Sequence, residues 1–444
     1  MDEWLKRNPQ IRSLRVVAPD LNGQARGKRI PVHLAEKTWT DGARMPLSAL
    51  NVDIWGNDIE QSPLVFESGD KDGLLRPTDR GCVPMPWLST PAALMPMWMF
   101  TDDGVPFSGD PRHALRVVLD RYASHNWHPV VGTEMEFYLI DDSADQLRPP
   151  VPPRAPKRHM GGEILSLRAL DAFDTFFSEL YEACDVMAIP VEAAISESGH
   201  GQFEVNLSHT TDALRAADDA WLFKLLAHGL ARKHGFAASF MAKPYAAHAG
   251  NGLHTHFSVL DSHGQNIFDD GGPRGTDLLR HAIAGCLDAM PASTLIFAPH
   301  GSSYARFEPG SHAPTGVAWG YDNRTTALRV PASPPSARRI EHRVAGGDTN
   351  PYLMLAVVLG AALLGIEAVR AAPDPLTGNA YAYDLAELPN SWTDAVVEFE
   401  NSSILAQILS PDLIRNFLMT KKQEMQYYPT LTPGERIDLY LETV

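Results

Sequence analysis

A strand-like segment that carries two carboxylates, VGTEMEFYLI at residues 131–140, constrains the fold of this chain more than any other stretch. Its apolar residues predict a buried β-strand. The two-residue period of a strand places Glu134 and Glu136 on one face, opposite Met135 and its apolar neighbours. Two like charges so close on a buried face repel each other and lose hydration unless opposite charge meets them. The sequence therefore predicts that the fold brings cations to this face.

Three more segments predict strands of the same design, with an apolar back and a face of Glu, His or Arg. The segments are SESGHGQFEVNLSH (196–209), GNGLHTHFSVL (250–260) and RRIEHRV (338–344). Their polar faces carry, in that order, Glu204 with Asn206 and Ser208, His254 with His256 and Ser258, and Arg339 with Glu341 and Arg343. A single strand of this kind usually turns its polar face to solvent. The four together, with Glu197 in the turn before Glu204, hold five glutamates and two histidines but no lysine, which a solvent face usually has. We interpret them as one site.

This combination of side chains is typical of a hard-cation site, with oxygen ligands, a single imidazole and enough negative charge for two divalent ions. Zinc sites use fewer carboxylates and more Cys or His. Five arginines form a second cluster along the C-terminal half: Arg306, Arg324, Arg329, Arg339 and Arg343. Arginine binds carboxylate and phosphate oxygens through paired hydrogen bonds. Metals together with arginines predict phosphoryl transfer from a nucleotide, at a site without the G-x-x-x-x-G-K-[ST] loop or a kinase-type glycine loop.

The first hundred residues read as short strands and turns, whereas the rest of the chain alternates strands with helices. RSLRVVAPDLNGQARGKRIP (12–31) predicts two strands joined by an Asn-Gly hairpin turn, and the proline-rich RPPVPPRAPK (148–157) predicts a surface loop. A boundary is expected at SGDPRHALRVVLDRYA (108–123), where GDPR precedes an amphipathic helix. We therefore predict an α+β protein of two domains, a small, mainly β domain at 1–107 and a larger one at 108–444.

Composition excludes several other classes of protein. A net charge of −16 argues against a nucleic-acid partner, because phosphate binding needs clustered Lys and Arg. Three widely spaced cysteines exclude a disulfide framework and suit a reducing cytoplasm. The apolar run PYLMLAVVLGAALLGIEAV (351–369) approaches the length of a membrane span, but it is rich in Ala and Gly and no basic cluster flanks it. We expect it to be a buried central helix of a cytoplasmic protein, not of a membrane protein, since the N-terminus lacks a signal-type apolar stretch.

Seven motifs, in order and with matching spacing, resemble those of the glutamine synthetase superfamily of bacterial type. They are TEMEF, ESGHGQFE, GNGLHTHFS, RFEPGSHAPTG, DNRTTALRVP, ARRIEHR and DTNPYLMLA, and the likeness covers nearly the whole chain. The resemblance implies an N-terminal β-grasp domain, a catalytic domain with an antiparallel sheet, and self-association into hexameric rings or a dodecamer. It also implies active sites between subunits, where the N-terminal domain of one chain closes the catalytic barrel of its neighbour.

The resemblance also implies a role for each matching residue. One metal would be bound by Glu136, Glu197 and Glu204, and the second, which carries the ATP phosphates, by Glu134, His254 and Glu341. The glutamate substrate would be held by Arg306, Arg343 and the Gly250 backbone, beside Glu136. The phosphates would be contacted by Arg324, which is also placed among the catalytic groups, with Arg329 and Arg339. The rest of the nucleotide would be contacted by Glu192, His256 and Ser258. Asp53 stands where the family has the aspartate that receives the attacking ammonium.

Three departures from the glutamine-forming enzymes lie around the substrates. Their mobile flap P-G-Y-E-A-P reads PGSHAP here, so that His312 replaces the glutamate that helps to bind and deprotonate ammonium. Ala249 replaces an asparagine that contacts glutamate, and Ser336 replaces a phosphate-binding lysine. This pattern resembles the branch that joins glutamate to organic amines, such as the γ-glutamylpolyamine and γ-glutamylputrescine synthetases.

We therefore expect an ATP-dependent ligase that joins L-glutamate to an amine through a γ-glutamyl phosphate, with two or more Mg²⁺ or Mn²⁺ ions. Two alternatives stay open, a glutamine synthetase that uses ammonium and a non-catalytic homologue. The presence of all six implied metal ligands argues against the second alternative. The acceptor amine, the choice between Mg²⁺ and Mn²⁺, and the choice between hexamer and dodecamer also stay open.

Overall fold

The N-terminal part of the chain is built on a mixed sheet. The computed structural model describes residues 1–144, 146–154 and 164–444, without the side chain of Glu442. The first elements are α1 (Asp2–Arg7), β1 (Ser13–Pro19), β2 (Ala25–Pro31), α2 (Ala35–Asp41), β3 (Ala43–Pro46), β4 (Asp72–Pro77), β5 (Val83–Pro84) and β6 (Ala92–Phe100). The strands pair in the order β2-β1-β6-β4-β3, with β5 on β6. β1 and β2 form the predicted hairpin, where Gly23 supplies a φ of +80°.

The rest of the chain forms a larger sheet and most of the helices. Its strands are β7 (His128–Ile140), β8 (Val191–Ser196), β9 (Gln202–Thr210), β10 (Ala237–Ser239), β11 (Leu253–Leu260), β12 (Trp319–Tyr321), β13 (Leu328–Val330) and β14 (Ile340–His342). Its helices are α3 (Pro111–Ser124), α4 (Leu167–Asp171), α5 (Asp174–Met187), α6 (Ala213–Lys233), α7 (Asp277–Phe297), α8 (Pro351–Glu367), α9 (Trp392–Glu400), α10 (Pro411–Tyr427) and α11 (Pro433–Thr443).

The four strands with predicted polar faces are neighbours in this sheet. The order is β12-β13-β14-β11-β7-β9-β8, with β10 paired to β7, so that β14, β11, β7 and β9 stand side by side and antiparallel. The α+β class is confirmed. The division at 107/108 stays a prediction, with the smaller sheet before that point and the larger one after it. The end of the proline-rich segment, residues 155–157, lies outside the described residues.

Helix α8 is the buried central helix that the apolar run 351–369 predicted. Nearly all of its side chains are buried, and it packs closely against α7. Glycine makes this approach possible, because a Cβ on Gly285 of α7 would lie 2.1 Å from the carbonyl oxygen of Ala361. In the part of the chain that the structure describes, no helix combines the length and apolarity that crossing a membrane requires.

Candidate active site

Cross-strand pairing gathers acidic and imidazole side chains on one face of the larger sheet. The directly opposite pairs are Glu134 with His254, Glu136 with Glu204, and His256 with Glu341. Such pairs place Cβ atoms about 4.5–5.5 Å apart, within reach of side-chain contact. We call these six residues the carboxylate cluster. The antiparallel registers thus unite residues that lie as far apart in the sequence as positions 134 and 341.

Two imidazoles hold Glu134, the first carboxylate of the opening motif. His254 Nδ1 lies 3.1 Å from its Oε2, and His256 Nε2 lies 2.8 Å from its Oε1. Burial alone would raise the pKa of Glu134, but the hydrogen bonds from both histidines outweigh burial and lower it. Glu134 is therefore ionised, and its negative charge is met from both sides.

Two other glutamates lack such compensation. Burial and the charge of Glu136 raise the pKa of Glu197 to about 7, while Arg324 opposes this shift. Burial and the charges of Glu134 and Glu136 raise the pKa of Glu204 well above its ordinary value. The protein therefore concentrates more negative charge at this point than its own side chains neutralise, as a cation site requires.

Two groups of side chains have the geometry of a metal site. Ligand atoms of Glu134, Glu204 and His254 lie within 4.8 Å of one another, and so do those of Glu134, His256 and Glu341. Both groups combine carboxylate oxygens with one imidazole, the donor set of a hard divalent cation, and they contain no thiolate. The residues present therefore fit the metals that the sequence predicted.

This grouping differs in detail from the resemblance. Glu134 is common to both groups, and His256, which the resemblance gave to the nucleotide, stands with the ligand atoms. Glu136 and Glu197 lie outside both groups among the described residues, and Glu136 Oε2 accepts a hydrogen bond from Gly252 N at 2.7 Å. The division of the six implied ligands between two ions stays a prediction.

Arginines border the cluster on the side of β13 and β14. Glu341 is 1% exposed and lies between Arg329, whose Nη1 is 2.8 Å from its Oε2, and Arg343, which donates to its Oε1. Although burial opposes the shift, Arg343 is the leading cause that lowers the pKa of Glu341 to about 2. Arg329 also donates to Asp322 at 2.6 Å. Asp322 was not among the predicted residues, because only the folded loop brings it next to Arg329.

The other two phosphate-type arginines lie at different depths. Arg339 is half-buried, and its Nε donates to His256 Nδ1 at 3.2 Å, so that it joins the cluster through an imidazole. Arg324 is exposed in the loop between β12 and β13, and its charge is felt by Glu197. Arg329, Arg339 and Arg343 thus contact the carboxylate cluster, whereas Arg324 lies exposed at its edge, and their roles toward substrates stay predictions.

Close backbone packing forms the end of the site predicted to bind glutamate. Arg306 is buried and donates from Nη1 to Val344 O at 2.7 Å. A Cβ on Gly250 would lie 2.4 Å from Ala242 O and 2.9 Å from Arg306 Cγ, so this position requires glycine. Gln202 Nε2 donates to Gly250 O at 3.0 Å and holds the loop in place. Arg306 Nη2 also donates to Arg343 O at 3.3 Å, so Gly250, Arg306 and Arg343 lie close together, and their role in binding glutamate stays a prediction.

A cavity of about 530 Å³ opens on the other side of the cluster. Its lining contains the predicted nucleotide residues Glu192, His256, Ser258 and Arg339. It also contains Asn206, His209, Thr211 and Ser336, which were not assigned to the nucleotide. Asn206 lies on the same strand face as Glu204 and donates to it at 3.0 Å, so the two-residue period of β9 was the signal for it. The volume lies within the ordinary range of small-molecule sites.

Asp53 and His312 lie apart from this arrangement. The Asp53 carboxylate is fully buried within its own chain and accepts hydrogen bonds from Trp55 N, Asn57 N and Gln423 Nε2. His312 is exposed, at a φ of +62°. Within the described ranges, neither side chain forms a hydrogen bond or ion pair with the carboxylate cluster. Their roles stay predictions.

Comparison with known proteins gives matches over nearly the whole chain. Residues 108–438 match the glutamine synthetase catalytic-domain family. The chain is 35% identical over 449 residues to gamma-glutamylputrescine synthetase PuuA of Escherichia coli strain K12, covering 99% of this chain and 93% of that protein. It is 31% identical over 412 residues to gamma-glutamylethanolamide synthetase GlnA4 of Streptomyces coelicolor, covering 92% of this chain and 88% of that protein.

A solved structure is similar over the same length. The structure of GmaS in complex with ADP has a TM-score of 0.85 and 28% identity, and the match covers 98% of this chain and 97% of that chain. The similarity in fold therefore extends over both sheets.

Proposed function

This chain belongs to the glutamine synthetase family and is an ATP-dependent glutamate–amine ligase, and we propose that its acceptor is an organic amine or polyamine. The observation that carries the ligase chemistry is the meeting of the carboxylate cluster with Arg329, Arg339 and Arg343 on one sheet face. Phosphoryl transfer to a carboxylate requires bound cations and groups that bind oxyanions. The carboxylates can bind the cations, and the arginines can bind the oxyanions.

Divalent metal ions and ATP are used by the ligases of this family, and the cluster has the ligands to bind such ions. We assign Glu136, Glu197, Glu204, Glu134, His254 and Glu341 to this task, with Mg²⁺ or Mn²⁺ as the ion. When bound, the ions neutralise charge that develops on the transferred phosphoryl group. The raised pKa values of Glu197 and Glu204 support this assignment, since a cation would stabilise the ionised carboxylates that burial and the neighbouring glutamates disfavour.

The first step is phosphorylation of glutamate. In this proposal Arg306, Arg343 and the Gly250 backbone hold the substrate so that an oxygen of its γ-carboxylate attacks the γ-phosphorus of ATP, and ADP leaves. Arg324, Arg329 and Arg339 contact the phosphates, and the cavity lined by Glu192, His256 and Ser258 receives the rest of the nucleotide. Positioning and charge stabilisation are the main contributions a protein makes to this reaction.

The second step is attack by the amine. The amine nitrogen attacks the carbonyl carbon of γ-glutamyl phosphate, phosphate leaves, and the proton from nitrogen passes to a base. We assign this base to His312, whose neutral imidazole can accept a proton from an alkylammonium ion. Asp53, from a neighbouring subunit, is assigned to the same end of the site, which makes a homo-oligomeric ring part of the proposal.

Two observations favour an organic amine over ammonium. The relative named for γ-glutamylputrescine is 35% identical to this chain, compared with 32% for the glutamine synthetase of Mycolicibacterium smegmatis. Moreover, PGSHAP places an imidazole where glutamine-forming enzymes have a carboxylate, and the exchange removes a negative charge that would hold a small cation. A glutamine synthetase is the second candidate, since the six implied metal ligands and the five arginines match its pattern as well.

Phosphate release from ATP tests the proposal. Purified protein with Mg²⁺ or Mn²⁺ and L-glutamate would be assayed with ammonium, methylamine, ethanolamine, putrescine and spermidine. We expect at least one organic amine to have a higher kcat/KM than ammonium, and mass spectrometry to detect its γ-glutamyl amide. His312→Glu should shift preference toward ammonium. If ammonium has the highest kcat/KM of the panel, the chain is a glutamine synthetase, and if no amine stimulates release, it is not a ligase.

A further inference from the structure

One buried lysine borders the loop that contains His312. Lys243 exposes 5% of its side chain, and its Nζ lies 3.1 Å from Oε2 of Glu308. Glu308 belongs to the loop 307–314, FEPGSHAP, and 58% of its side chain is exposed. Neither residue was singled out by its sequence pattern, because the pair is formed by two loops 65 positions apart.

The pair lies at the end of the site away from the nucleotide cavity. Glu308 follows Arg306 by two residues, and a Cβ on Gly252 would meet both Arg306 Nη2 and His254 Nε2. Arg306 therefore connects the loop to the carboxylate cluster. The cavity adjoins Glu134 and His256 instead, and among the described residues its lining includes neither Lys243 nor Glu308. Glu308 shares its loop with His312, which the proposed function assigns to the acceptor amine, so the pair lies at the acceptor end of the site.

The charge of Lys243 also acts on neighbouring residues at this end of the site. Burial, then His200, then Lys243 lower the pKa of His248, which lies on the loop leading to Gly250. The rings of His200 and His248 are 4.6 Å apart, and His200 lies three residues after Glu197. An uncompensated ammonium group at this position would repel an alkylammonium substrate, because like charges a few ångströms apart interact appreciably even near a protein surface.

We infer that Glu308 is a specificity-determining residue, whose carboxylate cancels the charge of Lys243 so that a cationic amine can reach the acceptor end of the site. The inference rests on the proposed function, because it concerns the amine that this ligase accepts. The proposed effect of Glu308 on the amine is electrostatic. The effect should therefore grow with the charge of the amine and weaken with salt.

The test compares Glu308→Gln, Lys243→Met and the double variant in the phosphate-release assay. The amines are ethanolamine, with one positive charge, and putrescine (1,4-diaminobutane), with two. We expect Glu308→Gln to raise the KM for ethanolamine about two- to five-fold and the KM for the diamine by a larger factor. The double variant, which lacks both charges, should return both KM values to within about two-fold of wild type. About 0.5 M salt should reduce the effect, since it shortens the screening length.

The matched control is Glu182→Gln, which removes an exposed carboxylate from α5 and should leave both KM values unchanged. Equal KM values for Glu308→Gln and this control would overturn the inference. The inference would also be overturned if Glu308→Gln raised KM by the same factor for both amines, or if the double variant had KM values as high as those of Glu308→Gln. Either result would show that the ion pair only holds the loop in place. Because Glu308 is mostly exposed, we expect Glu308→Gln to fold. If Lys243→Met does not fold, the comparison of Glu308→Gln with Glu182→Gln still tests the inference. A wild-type protein that uses no organic amine would instead contradict the proposed function.

Discussion

At the scale of single residues, Glu341 connects the two halves of the proposed chemistry. One of its oxygens meets Arg329 and the other meets Arg343, while His256 lies opposite on β11. Its pKa of about 2 keeps it ionised at every pH at which the protein would be assayed. A charge buried between one arginine assigned to phosphate and one assigned to glutamate can exchange those partners for a cation when the substrates arrive.

We expect Glu341→Gln to lower kcat of ATP turnover by about 10²-fold or more, because it removes a carboxylate ligand of the cation that would neutralise the charge developing on the phosphoryl group. Loss of a buried ion-pair partner should also lower the melting temperature. The control is Asp322→Asn, which removes a 56% exposed partner of the same Arg329 and should cost less than about ten-fold. Phosphate release and thermal melting measure both effects. Equal losses in the two variants would contradict a special role for Glu341.

The pKa values of Glu197 and Glu204 predict how stability depends on pH without metal. Both carboxyls have a higher pKa in the folded chain than the ordinary value near 4.3. The folded state therefore binds more protons than the unfolded state above about pH 4.5, and its stability falls as pH rises through about 7 and beyond. Bound cations reverse this trend, since they stabilise the ionised form.

In excess EDTA the melting temperature should fall between about pH 6 and pH 8.5, and Mg²⁺ or Mn²⁺ should raise it most at the alkaline end. Glu204→Gln should flatten the curve in EDTA, because its neutral amide has no proton to lose. Thermal melting across pH, with and without metal, measures these slopes. If the melting temperature in EDTA instead rose with pH through this range, the raised pKa values of Glu197 and Glu204 would be wrong.

How far the site could be predicted from the sequence differs from residue to residue. The two-residue period placed Glu134, Glu204, His254 and Glu341 on polar strand faces, and cross-strand pairing then brought them together. Lys243 and Glu308 could not be predicted in this way. Their contact depends on how two irregular loops pack, and a loop has no period that fixes the direction of its side chains.

At the scale of elements, α7 and α8 pack at glycines. A Cβ on Gly285 would lie 2.1 Å from Ala361 O and 2.7 Å from Gly365 N, and both contacts are with backbone atoms that cannot rotate away. The small residues that made the run 351–369 look unlike a membrane span are therefore those that let α8 approach its neighbour. Helices that pack at glycine leave no space for a methyl group.

We expect Gly285→Ala to destabilise the fold by about 1–3 kcal/mol or more through overpacking, although alanine favours a helix. The control is Gly434→Ala in α11, where a Cβ would meet nothing within 4 Å and a small gain in stability is expected. Thermal or denaturant unfolding of the two variants measures the difference. If the Gly285→Ala protein were as stable as wild type, α7 and α8 would have to lie farther apart than the structure shows.

The four polar-faced strands could be predicted together with the direction of their faces, but not in their extent or order. The segment 338–344 predicted a strand of seven residues, whereas β14 spans only Ile340–His342. The ladder ends where its partner β13 ends, and β13 is three residues long. The order β14-β11-β7-β9 likewise depends on pairings between distant segments, about which local periodicity carries no information.

At the scale of the whole molecule, α10 connects the N-terminal sheet to the rest of the chain. Glu424 accepts hydrogen bonds from Asn22 and Lys421, and Gln423 donates to Asp53 at 2.9 Å. These contacts bury the Asp53 carboxylate within its own chain. If Asp53 acts on an amine, it has to do so at a site that another subunit completes.

Mixing two inactive variants tests this arrangement. Asp53→Asn chains and Arg343→Ala chains, allowed to exchange subunits, should recover activity at sites that combine the intact half of each. Random exchange in equal amounts should restore about a quarter of the sites. Phosphate release after mixing measures recovery, and each variant alone is the control. No recovery in demonstrably mixed oligomers would mean that each site is built within one chain.

The order of the cluster's strands along the chain also sets when the site can form during synthesis. At a ribosomal rate of about 5–20 residues per second, about 10–40 s pass between Glu134 and Glu341. Through the first part of that interval the glutamates of β7 and β9 have left the ribosome without the imidazoles of β11 to meet them. The nascent chain thus has no complete carboxylate cluster until the strand containing Glu341 emerges.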